Sequence, residues 1–155
     1  EKFEFIKIDP PAGLVVLLIH PHVEIKTSHA RSILPEMMPA KNAIKQTSAA
    51  MMLVTGLLKS DYGLMSAASK DFIAEPYRAG MIPGYHDLKR EILSHGACAF
   101  NISGSGPTSF AFFDDEIKAE KLKPVITDYY EKLKIEVDIF ISKVNNNGVK
   151  VLEVR

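Results

Sequence analysis

Tryptophan is absent from this chain of 155 residues, and cysteine occurs once, at Cys98. A lone cysteine cannot close an internal disulfide, so packing must hold the fold, which is consistent with a reducing, cytoplasmic setting. Because Cys98 lies in the apolar run Ala97 to Ile102, a buried and inert thiol is favoured over a nucleophile. Net charge is also missing, since 19 basic and 19 acidic residues cancel. Without a broad basic field, nucleic acid and anionic membranes are poor expected partners. No apolar stretch approaches the roughly 20 residues of a membrane span, and no signal-peptide pattern opens the chain. Residue 1 is Glu rather than an initiator Met, which suggests a fragment or a processed product. No repeat, low-complexity tract or interdomain linker is found, and 46% apolar content suffices for one core, so a single domain over residues 1–155 is expected.

Metal chemistry lacks its ligands. His20 and His22 bracket Pro21, with His29 nearby, but no Cys or carboxylate joins them at a ligand spacing, so they read as strand-end and surface histidines and no metal site is expected. His86 and His95 read as helix-surface residues. Ser103 and Ser105 lack the Gly-x-Ser-x-Gly elbow between strand and helix that hydrolase chemistry requires.

What is present is a regular alternation of elements. Lys2 to Ile8 alternates charged and apolar residues and reads as a short edge strand, and Leu14 to His20 is a continuous apolar run expected as a central strand. Thr27-Ser28 opens a short helix through Leu34, and a longer helix follows Pro39 with Ile44, Met51, Val54 and Leu58 expected inward. In that helix the Met51-Met52 pair is expected to fill the core. Further helices are expected from Tyr62 to about Ile73, from Gly84 to His95, and from Glu116 to Lys134, the last burying Ile117, Leu122, Val125 or Ile126, Tyr129 and Leu133. Ala97 to Ile102, Thr108 to Phe113 and Ile135 to Val144 read as strands, and Asn147-Gly148 signals a hairpin turn with a return strand at Val149 to Val154. The order β-α-β-β-α-β is the split βαβ, ferredoxin-like arrangement: an α+β fold with extra helices in the first crossover, a C-terminal β-hairpin, and helices on one face of an antiparallel sheet.

Between the strands ending at Ile102 and starting at Thr108 lies Ser103-Gly104-Ser105-Gly106-Pro107. Gly104 and Gly106 can take positive φ without a Cβ clash. Such a loop is either an ordinary hairpin turn or a concavity whose N–H groups and hydroxyls suit an anion. It is neither G-x-G-x-x-G nor a Walker loop, because Ser109 stands where the third glycine would be and no Gly-Lys-Ser/Thr follows. Two arginines stand out, Arg31 and Arg78, each beyond a helix break. A guanidinium holds a carboxylate through two parallel bonds, although a single arginine is more often a solvated charge. Glu75 is a candidate catalytic carboxylate, although a helix-terminal charge or an ion pair with Arg78 is the favoured reading.

The segment Ile102-Ser-Gly-Ser-Gly-Pro-Thr108 resembles the third signature motif of the GHMP kinases. Ile25-Lys-Thr-Ser-His-Ala-Arg31 with Ile33-Leu-Pro35, then Ile73-Ala-Glu-Pro-Tyr-Arg78 and Ile82-Pro-Gly84, resemble the homoserine kinase branch in order and spacing, over about Leu14 to Phe113. The resemblance implies the C-terminal domain of such an enzyme. It implies homoserine bound at Thr27, Arg31 and Arg78, with the arginines on its carboxylate. It also implies that Ser103, Gly104, Ser105, Gly106, Pro107 and Thr108 form the floor of the active site near the nucleotide phosphates. ATP and Mg are the implied cofactors and the homoserine hydroxyl is the implied phosphoryl acceptor, in threonine biosynthesis. The family's Pro-x-x-x-Gly-Leu-Gly-Ser-Ser-Ala-type loop is missing here, and Ser48-Ala49-Ala50 echoes it without the glycines. An N-terminal ATP-binding domain is therefore expected as the absent partner, and this chain alone is expected to be inactive. No catalytic residue is assigned, and homodimer formation stays open. The alternatives are a non-catalytic amino-acid-binding module of the same fold, or the C-terminal domain of another GHMP kinase.

Overall fold

A computed structural model describes residue 4 and residues 6–153. β1 (Val15–Pro21), β2 (Ala99–Ile102), β3 (Ser109–Phe113) and β4 (Val137–Lys143) form one sheet in the order β2-β3-β1-β4. All neighbouring pairs are antiparallel. Because β1 is internal and pairs with both β3 and β4, the last strand of the chain lies beside the first, which is the split βαβ order expected. Side chains alternate across β1 and β3, so Val15, Leu17, Ile19, Ala111 and Phe113 are fully buried while their neighbours on the other face are partly exposed.

The buried face is covered by α5 (Tyr85–Ser94), α6 (Glu116–Glu120) and α7 (Leu122–Leu133), whose Leu88, Ile92, Ala119, Leu122, Ile126 and Tyr130 complete the main core. The single amphipathic helix expected over Glu116 to Lys134 is broken at Lys121. Pro124 explains the break, because it has no N–H for the carbonyl of Glu120 four residues earlier. The change of phase exposes Ile117 and half-exposes Leu133, and it buries Tyr130 rather than Tyr129. The Tyr130 hydroxyl donates to the carbonyl of Pro83 at 3.2 Å, and burial pushes its pKa up to about 12.

The crossover from β1 to β2 carries α1 (Thr27–Ser32), α2 (Ala40–Lys59), α3 (Tyr62–Ala68), α4 (Glu75–Arg78), a 3₁₀ turn at Ala79–Met81, and then α5. Pro76 lies in the first turn of α4, where its missing N–H costs nothing, so it starts a helix rather than ending one. α3 stops at Ala68, short of the expected Ile73, and leaves Phe72 in the loop before α4.

α2 presents the opposite face from the one expected. Ile44, Met51, Val54 and Leu58 are 41–70% exposed, while Ala49 and Gly56 are buried and Leu53 and Leu57 pack with Met65, Leu14, Cys98 and Phe112. This second cluster lies on the Phe112 side of the sheet, so helices occupy both faces rather than one. The reason is steric: Gly56 lets α3 approach so closely that an added Cβ would lie 2.7 Å from Met65 Cγ and 3.0 Å from its backbone nitrogen. A hollow of about 640 Å3 runs along the bare face of α2, lined by Ile44, Thr47, Met51 and Leu64 among others. Cys98 is 8% exposed, donates to the carbonyl of Phe112 at 3.1 Å, and has its thiol pKa pushed up by burial to about 11, which leaves it an inert core residue.

The termini depart from expectation. Ile6 and Ile8 form no strand, and Phe3 and Phe5 lie outside the described residues. A turn forms at Asn146-Asn147 with Gly148 at φ 66°, but residues 149–153 do not return as a strand, and Val154 lies outside the described residues. Val149 and Leu152 are 99% and 94% exposed, so no buried face rewards pairing with β4. No described helix is long and apolar enough to cross a membrane.

Gly56→Ala is expected to lower unfolding stability by about 1–3 kcal/mol, despite the better helix propensity of alanine, because the close approach overrides it. Ile126→Ala, which removes a side chain with no exposure, should cost about 2–5 kcal/mol. Denaturant midpoints at unchanged slope measure both, and a stabilised Gly56→Ala would contradict the α2–α3 contact. A pH effect follows at the end of β1. His22 Nε2 contacts Asp138 at 2.9 Å and its Nδ1 contacts Glu136 at 3.3 Å, both on or beside β4, and the hydrogen bond to Asp138 raises its pKa above 6.5. The stabilisation from a raised imidazole pKa is complete below the unfolded value near 6.5 and fades as pH rises through the folded value. Titration of the His22 ring by NMR should show the raised value, and Asp138→Asn should lower it.

Candidate active site

The residues singled out from the sequence meet where α1, α4 and the β2–β3 loop converge. The loop closes through Ser103 N–H to the Thr108 carbonyl at 2.8 Å and Gly106 N–H to the Ser103 carbonyl at 3.1 Å. Gly104 and Gly106 take φ of 61° and 83°, as the turn requires, and the Gly106–Pro107 peptide is cis. A Cβ on Gly106 would come within 3.1 Å of Ile82 Cδ1 and 3.5 Å of Ile25 Cδ1, a tight fit, and its φ of 83° is the feature that favours glycine. The N–H groups of Gly104 and Ser105, at the tip, carry no hydrogen bond among the described residues. Two adjacent free N–H groups on such a turn are the elements of an anion nest.

Arg78 ties this loop to α1. Its Nε donates to the carbonyl of Ala30 at 2.9 Å and its Nη1 to the carbonyl of Gly104 at 3.0 Å. The Ala30 carbonyl belongs to the last turn of α1, where helical partners run out, so the guanidinium acts as a cap for that helix. Two of its five N–H donors are used in this way and three remain. Thr27, at the start of α1, reaches Ser105 with hydroxyl oxygens 3.4 Å apart. Arg31, on the same short helix one residue beyond the carbonyl that Arg78 holds, is exposed, and its side chain makes no hydrogen bond or ion pair among the described residues. Thr27, Arg31, Arg78 and the 103–108 loop are thus neighbours in space although they come from three separated stretches of the chain.

Two details depart from the sequence reading. Glu75 is the charge at the start of α4, as one reading had it, but it does not pair with Arg78. Both its carboxylate oxygens bond Lys89 Nζ, at 2.6 and 2.7 Å. His20 is more than a strand-end histidine, since its Nδ1 lies 2.8 Å from Thr108 Oγ1 and holds the exit of the loop. Nothing local in the sequence signals it; the structure does so through register, since Ile19 is opposite Ser109, which places His20 beside Thr108. No group of three or more His, Cys, Asp or Glu suited to a metal ion occurs among the described residues.

Comparison with known proteins bears on the family and the fold. The model of the family described as GHMP kinases C terminal matches residues 53–132. A homoserine kinase from Chloroherpeton thalassium is 40% identical over 153 residues, covering 98% of this chain and 48% of that protein. One from Thermococcus gammatolerans is 34% identical over 139 residues, covering 90% of this chain and 47% of that protein. Among solved structures, the homoserine kinase from Cytophaga hutchinsonii superposes with a TM-score of 0.88 at 38% identity, covering 92% of this chain and 45% of that one. The chain spans about half the length of the curated relatives it matches. With its ferredoxin-like sheet, its glycine loop and the matching family model, the chain belongs to the C-terminal family of the GHMP kinases.

Proposed function

We propose that this chain is the substrate-binding C-terminal half of a homoserine kinase, which phosphorylates the side-chain hydroxyl of homoserine with ATP on the route to threonine. The observation that carries this reading is the Arg78 guanidinium, braced on two backbone carbonyls with three donors left over, one of those carbonyls belonging to the residue before Arg31, whose side chain makes no hydrogen bond or ion pair among the described residues. A forked pair of cations suits the carboxylate of a small amino acid, and charge-assisted bonds of this kind are worth about 1.5–3 kcal/mol each. Thr27 and Ser105 supply hydroxyls at the same place, and the free N–H groups of Gly104 and Ser105 suit a phosphate oxygen.

The residues described here do not by themselves fit ATP or Mg. The glycine-rich phosphate cradle of the family has no counterpart in the sequence, and no metal-holding cluster is present among the described residues. We therefore assign nucleotide and metal binding to a preceding half, as the doubled length of the relatives supports. What this half does is bind and orient the acceptor. Positioning and charge stabilisation make up nearly all of phosphoryl-transfer catalysis, so the acceptor half without the cradle should not turn over.

Assays of ATP-dependent homoserine phosphorylation should detect activity in the protein extended by the preceding half and none in this chain alone. Turnover by the short chain would refute the division of labour. In the longer protein, Arg31→Ala should raise the homoserine KM about 10- to 100-fold with an unchanged unfolding midpoint, since Arg31 supports no fold contact. Arg31→Lys should recover only part of it, because an ammonium lacks the fork. A substrate panel in which another hydroxyl compound is preferred would shift the assignment to a different GHMP kinase.

A further inference from the structure

Arg78 stands on α4, a helix of four residues. So short a turn has no stability of its own, and the aim of the guanidinium depends on whatever fixes that turn to the core. At its start, the Asp71 carboxylate accepts the N–H groups of Ile73, Ala74 and Glu75 at 2.7, 2.9 and 3.1 Å. Arg78's own bonds to Ala30 and Gly104 and the turn into Ile82 hold the far end of α4. At the Glu75 end α4 is tied to α5 by the ion pair of Glu75 with Lys89, in which both carboxylate oxygens grip one ammonium. The two side chains are only 15% and 18% exposed. Lys89 is anchored because its helix, α5, buries Leu88 and Ile92 in the main core.

The pair also has an electrostatic effect. Glu75 lies three residues before Arg78 on the same turn and is the natural competitor for its guanidinium. With Lys89 holding both oxygens, Arg78 makes no ion pair with a carboxylate among the described residues. The neighbouring Tyr85 hydroxyl is buried without a partner, and burial, then the negative charges of Glu75 and Asp71, raises its pKa. It therefore stays a neutral phenol and offers Lys89 no alternative anion.

We infer that Lys89, acting through Glu75, is a positioning residue that sets the aim of Arg78 and keeps its free donors available for an amino-acid carboxylate. This rests on the reading of Arg78 proposed above. Two consequences can be separated: loss of Lys89 releases the turn, and it also frees Glu75 to occupy Arg78.

The test uses the protein extended by the preceding half, with homoserine and ATP titrated separately. Lys89→Met should raise the homoserine KM about 10- to 100-fold, with kcat and the ATP KM within about threefold of the parent, as expected when binding energy common to ground and transition states is lost. Lys89→Arg, which keeps the charge and reach, should return the homoserine KM to within about threefold of the parent. The double variant Glu75→Gln/Lys89→Met leaves no lone buried charge and serves if Lys89→Met fails to fold. It should fold and show an elevated homoserine KM, lower than that of the single variant where both can be measured. A parental homoserine KM in the double variant, or no rescue by Lys89→Arg, would overturn the inference. Arg78→Ala run in parallel separates the two levels. If it raises the homoserine KM while the Lys89 variants do not, only the tether fails. If it leaves that KM unchanged, the reading of the site fails and the tether with it.

Discussion

The site depends on one guanidinium that bridges two backbone segments. Arg78 donates to the last turn of α1 and to the tip of the β2–β3 loop, carbonyls 74 residues apart in sequence between Ala30 and Gly104. Among the described residues, the other polar contact between α1 and the loop is the longer Thr27–Ser105 approach. A planar cation with donors on several edges suits this role, because it can hold two carbonyls and still present N–H groups outward. A lysine, with one rotating ammonium, would lose the directional part of the arrangement.

The bridge works because the elements it joins are themselves fixed by the core. The loop is the connection between two strands whose alternate residues are buried, and Gly106, at positive φ, packs closely against Ile25 and Ile82. The 3₁₀ turn at Ala79–Met81 leads from Arg78 to Ile82, which is 3% exposed, so the residues after Arg78 enter the core within four positions. The apolar interior therefore supplies rigidity, and a few polar bonds at its edge convert that rigidity into direction. The same division explains why Cys98 and Tyr130 matter only to packing: burial raises both pKa values and keeps them neutral and inert.

α2 behaves differently from the rest of the crossover. It carries apolar residues around most of its circumference, and the structure buries the stripe containing Ala49, Gly56, Leu53 and Leu57 while leaving Ile44, Met51 and Leu58 bare. A helix with two apolar stripes has no unique inward face from periodicity alone. The choice was made by the close contact at Gly56, which needs the partner helix α3 to be in place.

The order and type of the strands, the split βαβ topology and the identity of the glycine loop were legible in the sequence, because strand alternation, turn chemistry and chain order are local properties. Thr27, Arg31 and Arg78 were singled out by the resemblance of short local motifs, and the fold brings Thr27 and Arg78 to the same loop. The inward face of α2, the break at Lys121, the failure of residues 149–153 to return as a strand, and the partners of Glu75 and His20 were not legible, and most of these turn on a neighbour remote in sequence. An ion pair is chosen by distance after folding, and Lys89, fourteen positions from Glu75, meets it only because the turn after Arg78 folds α5 back beneath α4. Local residue patterns thus determined what this chain is built from, and tertiary packing alone decided which charges face each other, because those partners are remote in sequence.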